Sequence, residues 1–392
     1  MPSTPRISGI SRTDPRALQI ALNAAPHLSR PAAYRLALQP GVWAEGTSRS
    51  ATPDLLAAAA GVPRSQMERA LAVAAGADAL ANRELAAAER LGARTVLRED
   101  PDYPEALRQL ELPPPVLYVR GALPPGPAVA IVGSRRADPY GLEVADLFAR
   151  SLAAAGVPIV SGFAHGIDAA AHRGALAAGG GLTVAVLGCG LGVDYPRGHT
   201  RLAEEIAARG AVITEFPCHL GPRAWHFPVR NRVIAALTTG TLVVQAAPRS
   251  GSLVTARHAV DLGREVWAVP GRIFDERSLG PNALIRDGAA LVQHPRDILE
   301  TLQPAPRHQQ SSLFPLPARG FSPEPSPPPA APEPPPGLQG AVLAALDAGS
   351  LRLPEEIAAG LGEPVDGVLG ALLELELAGW VRRHAGGAYR RG

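Results

Sequence analysis

Between residues 128 and 271 the sequence repeats a short apolar run, a polar loop and a helical segment. The apolar runs read AVAIV, VPIV, TVAVLG, AVITE, TLVVQAA and EVWAVPG. Short runs rich in β-branched residues are typical of strands that are covered on both faces, as in a parallel sheet. Six such strands alternating with helices predict an α/β fold with a doubly wound, mostly parallel sheet and right-handed crossovers.

The loops in the stretch from Phe227 to Ala259 carry groups that bind anions. One guanidinium-rich turn opens a helix near a strand end, where open α/β sheets bind ligands; it consists of Arg230, Asn231 and Arg232. A second loop, residues 248–252, joins a strand to the next helix. Because Gly251 permits close backbone approach and Ser252 adds a hydroxyl at the helix N-terminus, this loop is a predicted phosphate site.

Two further loops repeat this arrangement after the first and second strands. Gly133, Ser134 and Arg135 precede a helix, so backbone N–H groups, a hydroxyl and a guanidinium are predicted to converge on one anion. The alternative is an ordinary solvated turn. Ser161 and Gly162 follow the second strand, and nearby Asp168 is interpreted as a helix cap rather than a catalytic group.

Other motifs indicate neither a cofactor nor catalysis. The run Gly188 to Gly192 follows a strand, but Val193 stands where a dinucleotide fingerprint needs glycine, so NAD binding is not predicted. Asp168 and His172 share a helix face and are interpreted as a hydrogen-bonded pair rather than a metal site. Glu215 is interpreted as an acceptor for a neighbouring arginine. The sequence therefore predicts no catalytic residue, metal or cofactor.

Charge and cysteine content narrow the class of protein. All 38 basic residues are arginine, and with 36 acidic residues the net charge is only +2. Any affinity for nucleic acid must therefore come from a local patch. Cys189 and Cys218 have no metal-binding spacing, which fits a reducing cytoplasm. No apolar run approaches the ~20 residues of a membrane span, and no signal peptide is recognised, so a cytoplasmic protein without membrane contact is expected.

The two ends of the chain differ from its middle. Residues 1–95 are alanine-rich with helical spacing and predict a small helical domain. Residues 304–336 contain 13 prolines and predict an extended linker. Residues 337–392 read as three helices and two short strands, the layout of a winged helix. Its segment 353–379 has six acidic residues and no arginine, which favours a protein contact over DNA binding.

Taken in order, several motifs resemble the DNA-processing protein A family, also called DprA or Smf. They are GSR, SGxAxGID, GxG with a following Tyr-Pro, FPxRNR, SGSLxTA and GxNxLIxxGA, over residues 95 to 303. The resemblance implies a single-stranded DNA-binding protein that shelters incoming strands during natural transformation and loads the RecA recombinase. It further implies a Rossmann-like DNA-binding domain at 96–303, a SAM-like N-terminal domain, and a homodimer.

The same resemblance implies which residues line the DNA path. With the loop residues above, these are Gly133, Ser134, Arg135, Ser161, Gly162, Phe227, Arg230, Asn231, Arg232, Gly251, Ser252 and Arg264. Arginines interleaved with aromatic residues suit single-strand binding, although Trp225 can equally belong to the core. Two departures are His165, where relatives commonly have arginine, and Gln245, where they have glutamate. The N-terminal region also lacks a Pro-Gly-Ile-Gly hairpin.

Two other readings stay open. Related Rossmann-like folds bind or hydrolyse nucleotides, and the same loops suit a mononucleotide phosphate, so a nucleotide-binding or nucleotide-hydrolysing enzyme is the alternative function. Within the proline-rich segment, Gln310, Leu313 and Phe314 resemble the peptide by which bacterial proteins dock on the DNA polymerase sliding clamp. Ser311 replaces the usual leucine of that peptide.

Overall fold

The computed structural model describes residues 14–43, 52–302, 335–346, 352–383 and 388–391. The chain divides into two compact units, Met1–Gln309 and Gln310–Gly392. The clamp-like residues Gln310, Leu313 and Phe314 lie outside the described residues, as does nearly all of the predicted linker. In the part of the chain that is described, no helix is long and apolar enough to cross a membrane.

The first unit begins with a group of short helices, as predicted. They are α1 (Pro15–Ala24), α2 (Arg30–Ala37), a 3-10 helix (Pro40–Trp43), α3 (Pro53–Ala60), α4 (Arg64–Ala74) and α5 (Ala77–Arg90). Local sequence sets their ends. The Thr52 hydroxyl accepts a hydrogen bond from the Leu55 amide with Pro53 in the first turn, and the helix stops at Gly61, where φ is 63°.

A nine-stranded sheet forms the centre of the first unit. Its strands are β1 (Ala93–Leu97), β2 (Val116–Gly121), β3 (Val129–Val132), β4 (Ile159–Ser161), β5 (Thr183–Val186), β6 (Ala211–Thr214), β7 (Gly240–Val243), β8 (Glu265–Ala268) and β9 (Ala290–Leu291). The order is β1-β2-β6-β5-β4-β3-β7-β8-β9. Strands β3 to β9 pair in parallel, whereas β1 and β2 are antiparallel at one edge. The six predicted strands and the mostly parallel sheet are confirmed.

Helices cover both faces of this sheet. They are α6 (Glu105–Arg108), α7 (Pro139–Ala154), α8 (Ile167–Ala177), α9 (Thr200–Arg209), α10 (His226–Ala236), α11 (Gly251–Asp261), α12 (Glu276–Arg286) and α13 (Pro295–Leu302). On β3, Ala130 and Val132 pack towards α10 and α11, whereas Val129 and Ile131 pack towards α7 and α8. This alternation explains why the strand sequence is apolar throughout.

The segment of residues 95–121 extends the sheet. It contributes β2 and the end of β1, and β1 was not predicted from the sequence. The short Thr95-Val96-Leu97 run between a helix and a proline-rich stretch is too brief for a periodicity signal. The boundary predicted at residue 95 falls inside β1, and the domain boundaries as such stay predictions.

Glu215 connects the N-terminal helices to the sheet. Its carboxylate accepts hydrogen bonds from the Tyr34 hydroxyl at 2.7 Å and from Arg232, and its carbonyl accepts one from the Asn23 side chain at 3.3 Å. Apolar contacts surround this link, with Ile20, Ala88 and Tyr118 in one cluster. Glu215 is therefore a structural acceptor, as interpreted from the sequence.

The second unit has the predicted winged-helix layout. It comprises α14 (Leu338–Ala344), α15 (Pro354–Leu361), α16 (Val365–Leu377) and the antiparallel pair β10 (Val381–Arg383) and β11 (Tyr389–Arg391). Its own core includes Val342, Ile357, Leu372 and Tyr389. Burial of such side chains contributes roughly 1.5–3 kcal/mol each.

Candidate nucleic-acid interface

The sheet order places the candidate site at a topological switch point. From β3 the chain crosses first to β4 on one side and later to β7 on the other, so the loops after β3 and β7 diverge at the carboxyl edge. Open α/β sheets bind ligands in the crevice that such loops leave. A pocket of about 380 Å³ lies there, between these two loops and the start of α10. We call it the switch-point pocket.

Most residues predicted for the DNA path line this pocket. They are Gly133, Ser134, Arg135, Phe227, Arg230, Asn231, Gly251 and Ser252. Gly162 lines a small adjoining cleft that shares Arg135 and Phe227 with the pocket. Residues that are far apart in the sequence thus form one surface, because parallel strands end at the same edge.

Arg135 and Phe227 form the rim of the pocket. The guanidinium carbon of Arg135 lies 4.6 Å from the centroid of the Phe227 ring, which is a cation–π geometry. Behind the ring stands Tyr195, 5.5 Å away between centroids, and its hydroxyl lies 3.5 Å from the Arg135 guanidinium. Arg135 is exposed, so its charge faces solvent while its position is held by two aromatic rings.

Arg230 forms the floor, and its side chain is only 4% exposed. It donates to the Gly162 carbonyl at 2.6 Å, to the Val186 carbonyl, and to the Asn231 side chain at 3.1 Å. Burial lowers the pKa of its guanidinium to about 10, while the charge of Asp168 raises it. Arg230 therefore stays protonated at neutral pH and contributes a fixed positive charge beneath the pocket.

Asp168 is the acidic partner of this floor. Burial raises the pKa of its carboxyl, and the nearby Arg230 guanidinium opposes that shift. The Asp168 carboxylate accepts from the Ala164 amide at 3.3 Å, so it orders the loop before α8 and is not the helix cap, a position held by Gly166. A side chain at position 162 would approach both Arg230 and Asp168 to 2.7 Å, which explains the glycine there.

The loop after β3 does not present its amides as an open anion nest. The Ser134 amide donates to the Gln245 carbonyl at 2.7 Å, and the Ser134 hydroxyl accepts from the Arg136 amide at 3.1 Å. Gly166, with φ of 76°, brings the next loop so close that a Cβ would lie 2.2 Å from the Ser134 carbonyl. The Ser134 and Arg136 amides are therefore engaged within the protein, contrary to the expected convergence of backbone N–H groups, and the exposed side chains of Arg135 and Arg136 present the charge of this loop.

Gln245 holds the same loop from below. Its amide nitrogen donates to the Asp138 carboxylate at 2.9 Å, and its amide oxygen accepts from the Asp138 backbone N–H at 3.3 Å. A glutamate at 245 would accept but not donate, and would place a second carboxylate against Asp138. Gln245 therefore suits its surroundings as an uncharged clamp.

Three predicted residues are not brought to the pocket. The buried Ser161 hydroxyl donates to the Ile131 carbonyl at 2.6 Å within the sheet. Arg232 points to the N-terminal helices, bonded to Glu215 and 5.7 Å from the Tyr34 ring centroid. Positions two apart on a helix face opposite sides, so Arg230 and Arg232 cannot share one ligand site.

Arg264 is the third of these residues. It precedes β8, whose first residue pairs with Gly240 at the start of β7. Arg264 therefore lies at the amino edge of the sheet, opposite the pocket.

The pocket also contains residues that were not predicted from the sequence. Arg136, Asp168 and Arg249 also line the pocket, and Tyr195 supports its rim. The two arginines lie in the same loops as the glycines and hydroxyls that were noted, so loop composition held the signal. His172 corrects another expectation, because its Nδ1 lies 2.7 Å from the Thr183 hydroxyl rather than bonding Asp168.

Comparisons with known proteins agree with this architecture. The family model described as DNA recombination-mediator protein A matches residues 94–303, and the DprA winged helix domain matches residues 326–387. Protein Smf of Escherichia coli (strain K12) is 42% identical over 304 residues, which cover 74% of this chain and 75% of that protein. The DNA processing protein DprA of Bacillus subtilis (strain 168) is 39% identical over 223 residues, 56% of this chain and 75% of that protein.

A solved structure shows the same fold. DNA processing protein A (DprA) of Streptococcus pneumoniae aligns with a TM-score of 0.61 and 32% sequence identity, covering 72% of this chain and 96% of that chain. The matched family model spans more than half of the present chain. From its sequence, its sheet and its winged helix, this chain belongs to the DNA recombination-mediator protein A family, whose members are named DprA or Smf.

Proposed function

We propose that the chain binds single-stranded DNA in the switch-point pocket, shelters incoming strands during natural transformation and loads a RecA-type recombinase onto them. One observation carries the DNA-binding step, namely the exposed Arg135 guanidinium held over the Phe227 ring at 4.6 Å. Proteins that bind single strands combine a basic surface for the phosphates with aromatic rings on which bases stack. The rim supplies both at one place.

The charges of the pocket favour a polyanion. Arg135, Arg136 and Arg249 are exposed at its rim, while Arg230 adds a buried positive charge beneath them. Asp168 is the one acidic residue among the described residues that line the pocket, and it is buried next to Arg230. Phosphate contacts of this kind dominate affinity and make it depend on salt.

We propose binding rather than catalysis. The one carboxyl at the pocket, Asp168, is engaged with the Ala164 amide and lies under the loop rather than at the rim. The rival function is hydrolysis or sensing of a mononucleotide, which the same loops can hold by its phosphate. The two are separated by length: a strand binder requires several nucleotides for tight binding, whereas a nucleotide enzyme is saturated by one.

The test is a salt titration of binding to a labelled oligonucleotide, in parallel with duplex of the same sequence and with mononucleotides. We expect preference for the single strand and no nucleotide turnover. Arg135→Ala should weaken single-strand binding about ten-fold and reduce the slope of log K against log salt by ~0.7, the value for one phosphate contact. Its unfolding free energy should change by less than ~0.5 kcal/mol, as for other exposed substitutions.

Arg150→Ala is the matched control. Arg150 lies near the end of α7, which starts after β3 and returns to the amino edge of the sheet, and it forms an ion pair with Asp146 on the same helix. This variant should bind like the wild type. An unchanged salt slope in Arg135→Ala, or saturation of the wild type by a mononucleotide, would reject single-strand binding in the pocket.

The proposed partners require separate support. The loop after β8 exposes two large apolar side chains, since Ile273 is 71% and Phe274 96% exposed. A second copy of the chain can cover this apolar surface in a homodimer. Light scattering of Phe274→Asp and of wild type measures whether the dimer is lost.

The proposed sliding-clamp contact is tested with a peptide of residues 309–315. This peptide should bind the clamp, and its Leu313→Ala/Phe314→Ala version should not. Recombinase loading is tested by strand exchange on DNA coated with single-strand-binding protein.

A further inference from the structure

A second concave surface lies on the other side of the residues that open α10. It is a groove of about 730 Å³ between the N-terminal helices and the segment 217–226. We call it the N-terminal groove and define it by Arg30, Arg69, Glu84, His219, Arg223 and Trp225. Neither the family motifs nor the pocket residues include this groove.

The groove and the switch-point pocket share a wall. Trp225 and His226 line the groove, while Phe227, the next residue, lines the pocket. Consecutive Cα atoms are about 3.8 Å apart. A strand that stacks on Phe227 therefore has the groove within reach of its next nucleotides. Single-strand binders contact several successive nucleotides in this way.

Trp225 provides a stacking surface in the groove. It is 46% exposed although it is a large aromatic residue. Its ring packs edge-on against His226, with 4.2 Å between centroids and an angle of 79°, and His226 in turn stacks on Phe216 at 4.4 Å. Since His226 is fully buried, the indole is fixed on one side and open to the groove on the other. A rigid, half-exposed indole is suited to a nucleobase.

The charges of the groove suit phosphate. Arg69 and Arg223 are exposed on opposite walls, and Arg69 is positioned by a 3.0 Å hydrogen bond to the His27 carbonyl. Arg30 is buried at the base and donates to the Asn23 side chain at 3.1 Å. Glu84 is the one acidic residue of the described lining, and its carboxylate accepts from the Cys218 amide at 2.6 Å. The accessible charges are therefore positive.

We infer that the N-terminal groove binds the continuation of the single strand held in the switch-point pocket, with a base on Trp225 and phosphates at Arg69 and Arg223. This inference rests on the proposed function. It assigns the N-terminal helices a direct role, as the second wall of an extended DNA path. The path turns around the start of α10, which presents Phe227 to one side and Trp225 to the other.

The test compares full-length variants with oligothymidylates of about 4 and about 20 nucleotides. Trp225→Ala, which removes one stacked base, and Arg69→Ala/Arg223→Ala, which removes two phosphate contacts, should each weaken binding of the long oligonucleotide about ten-fold and leave the short one unchanged. Arg135→Ala should weaken both. Arg150→Ala should weaken neither. Each variant is first compared with wild type by its thermal unfolding midpoint.

Tryptophan fluorescence gives a second readout that does not depend on those substitutions. The long oligonucleotide should quench the wild type more than the short one, and Trp225→Phe should abolish the difference while still binding. If the wild type binds DNA, Arg135→Ala weakens it and the groove variants match wild type at both lengths, the groove inference fails alone. If no oligonucleotide binds at all, the proposed function fails. Poly-glutamate that binds through Arg69 and Arg223, with DNA unable to displace it, would assign the groove to an acidic protein segment and overturn the inference.

Discussion

The switch-point pocket and the winged helix are both places where their folds commonly bind nucleic acid, yet they carry opposite charge. The pocket has three exposed arginines on its rim. In the winged helix, α16 holds the position of a recognition helix but carries Asp366, Glu374 and Glu376 and no arginine. Apart from Arg352, the arginines described in that unit lie on its two strands, where Arg382 pairs opposite Arg390.

The fold therefore indicates where a ligand can bind, whereas the local charge decides which ligand binds. Phosphate contacts supply most of the affinity for nucleic acid, so an acidic helix in the recognition position opposes it. A second difference lies within the pocket itself. The Arg135 guanidinium is exposed to solvent. The Arg230 guanidinium is buried, donates hydrogen bonds to two carbonyl groups and lies near the charge of Asp168. Charge at a site is useful to a ligand only where the fold leaves it unpaired.

The largest expected effect separates these two arginines. Arg230→Met should lower the free energy of unfolding by about 3–5 kcal/mol, because it leaves the Gly162 and Val186 carbonyls without their donor and Asp168 buried without a nearby positive charge. Arg135→Met should change it by less than ~0.5 kcal/mol. Denaturant titration of both variants measures the contrast.

The double variant Arg230→Met/Asp168→Asn is the control for that interpretation. Removing both charges should recover part of the lost stability, because it also removes the cost of burying the Asp168 carboxylate without a positive charge nearby. Wild-type stability in Arg230→Met would mean that Arg230 is free to bind a ligand. Arg230 and Arg135 would then not differ in role as argued above.

The next effect separates the two units. A chain that ends at Gln303 should keep its affinity for single-stranded DNA within about three-fold, whereas residues 335–392 alone should bind at least about 100-fold more weakly, because α16 repels phosphate. Fluorescence anisotropy at one salt concentration measures both. A ten-fold loss of affinity in the shortened chain would show that the winged helix contacts DNA despite its acidic helix.

The smallest effect concerns pH. Burial lowers the pKa of His172 to about 3, against about 6.5 in an unfolded chain. As pH falls, the unfolded state therefore takes up the proton first, so stability is full above about pH 6.5 and is lost below it. Proton uptake by this histidine in the unfolded state should lower the free energy of unfolding by about 2 kcal/mol between pH 8 and pH 5. The described residues of the second unit contain no histidine, so no such loss is expected there.

His172→Gln removes this titration and should reduce the loss of unfolding free energy over that range by about 2 kcal/mol, while the part due to His199, His226 and His258, whose pKa values burial also lowers, should remain. His27→Gln, at an exposed position, is the control and should leave it unchanged. Identical pH profiles for wild type and His172→Gln would show that the buried imidazole does not titrate as its surroundings require.

Much of the fold and part of the site were readable from the sequence. Apolar runs of four to seven residues predicted β3 to β8, because strands covered on both faces consist mostly of apolar residues. The same repeat placed Gly133, Arg135, Phe227 and Ser252 after strand ends, and parallel strands end at one edge. The motif order alone indicated the family. Strands β1 and β9 were not predicted, since they are short and carry no periodic signal.

The tertiary structure alone decided which of the predicted residues can meet a ligand. Ser161, Arg232 and Arg264 have the right chemistry, but a hydroxyl buried in the sheet, a helix face turned to Glu215 and the amino edge of β8 remove them from the pocket. Sequence determines which groups are present and their order along the strands. Their exposure and pairing arise from contacts between residues distant in the chain, such as the one between Tyr34 and Glu215, and no local pattern encodes these.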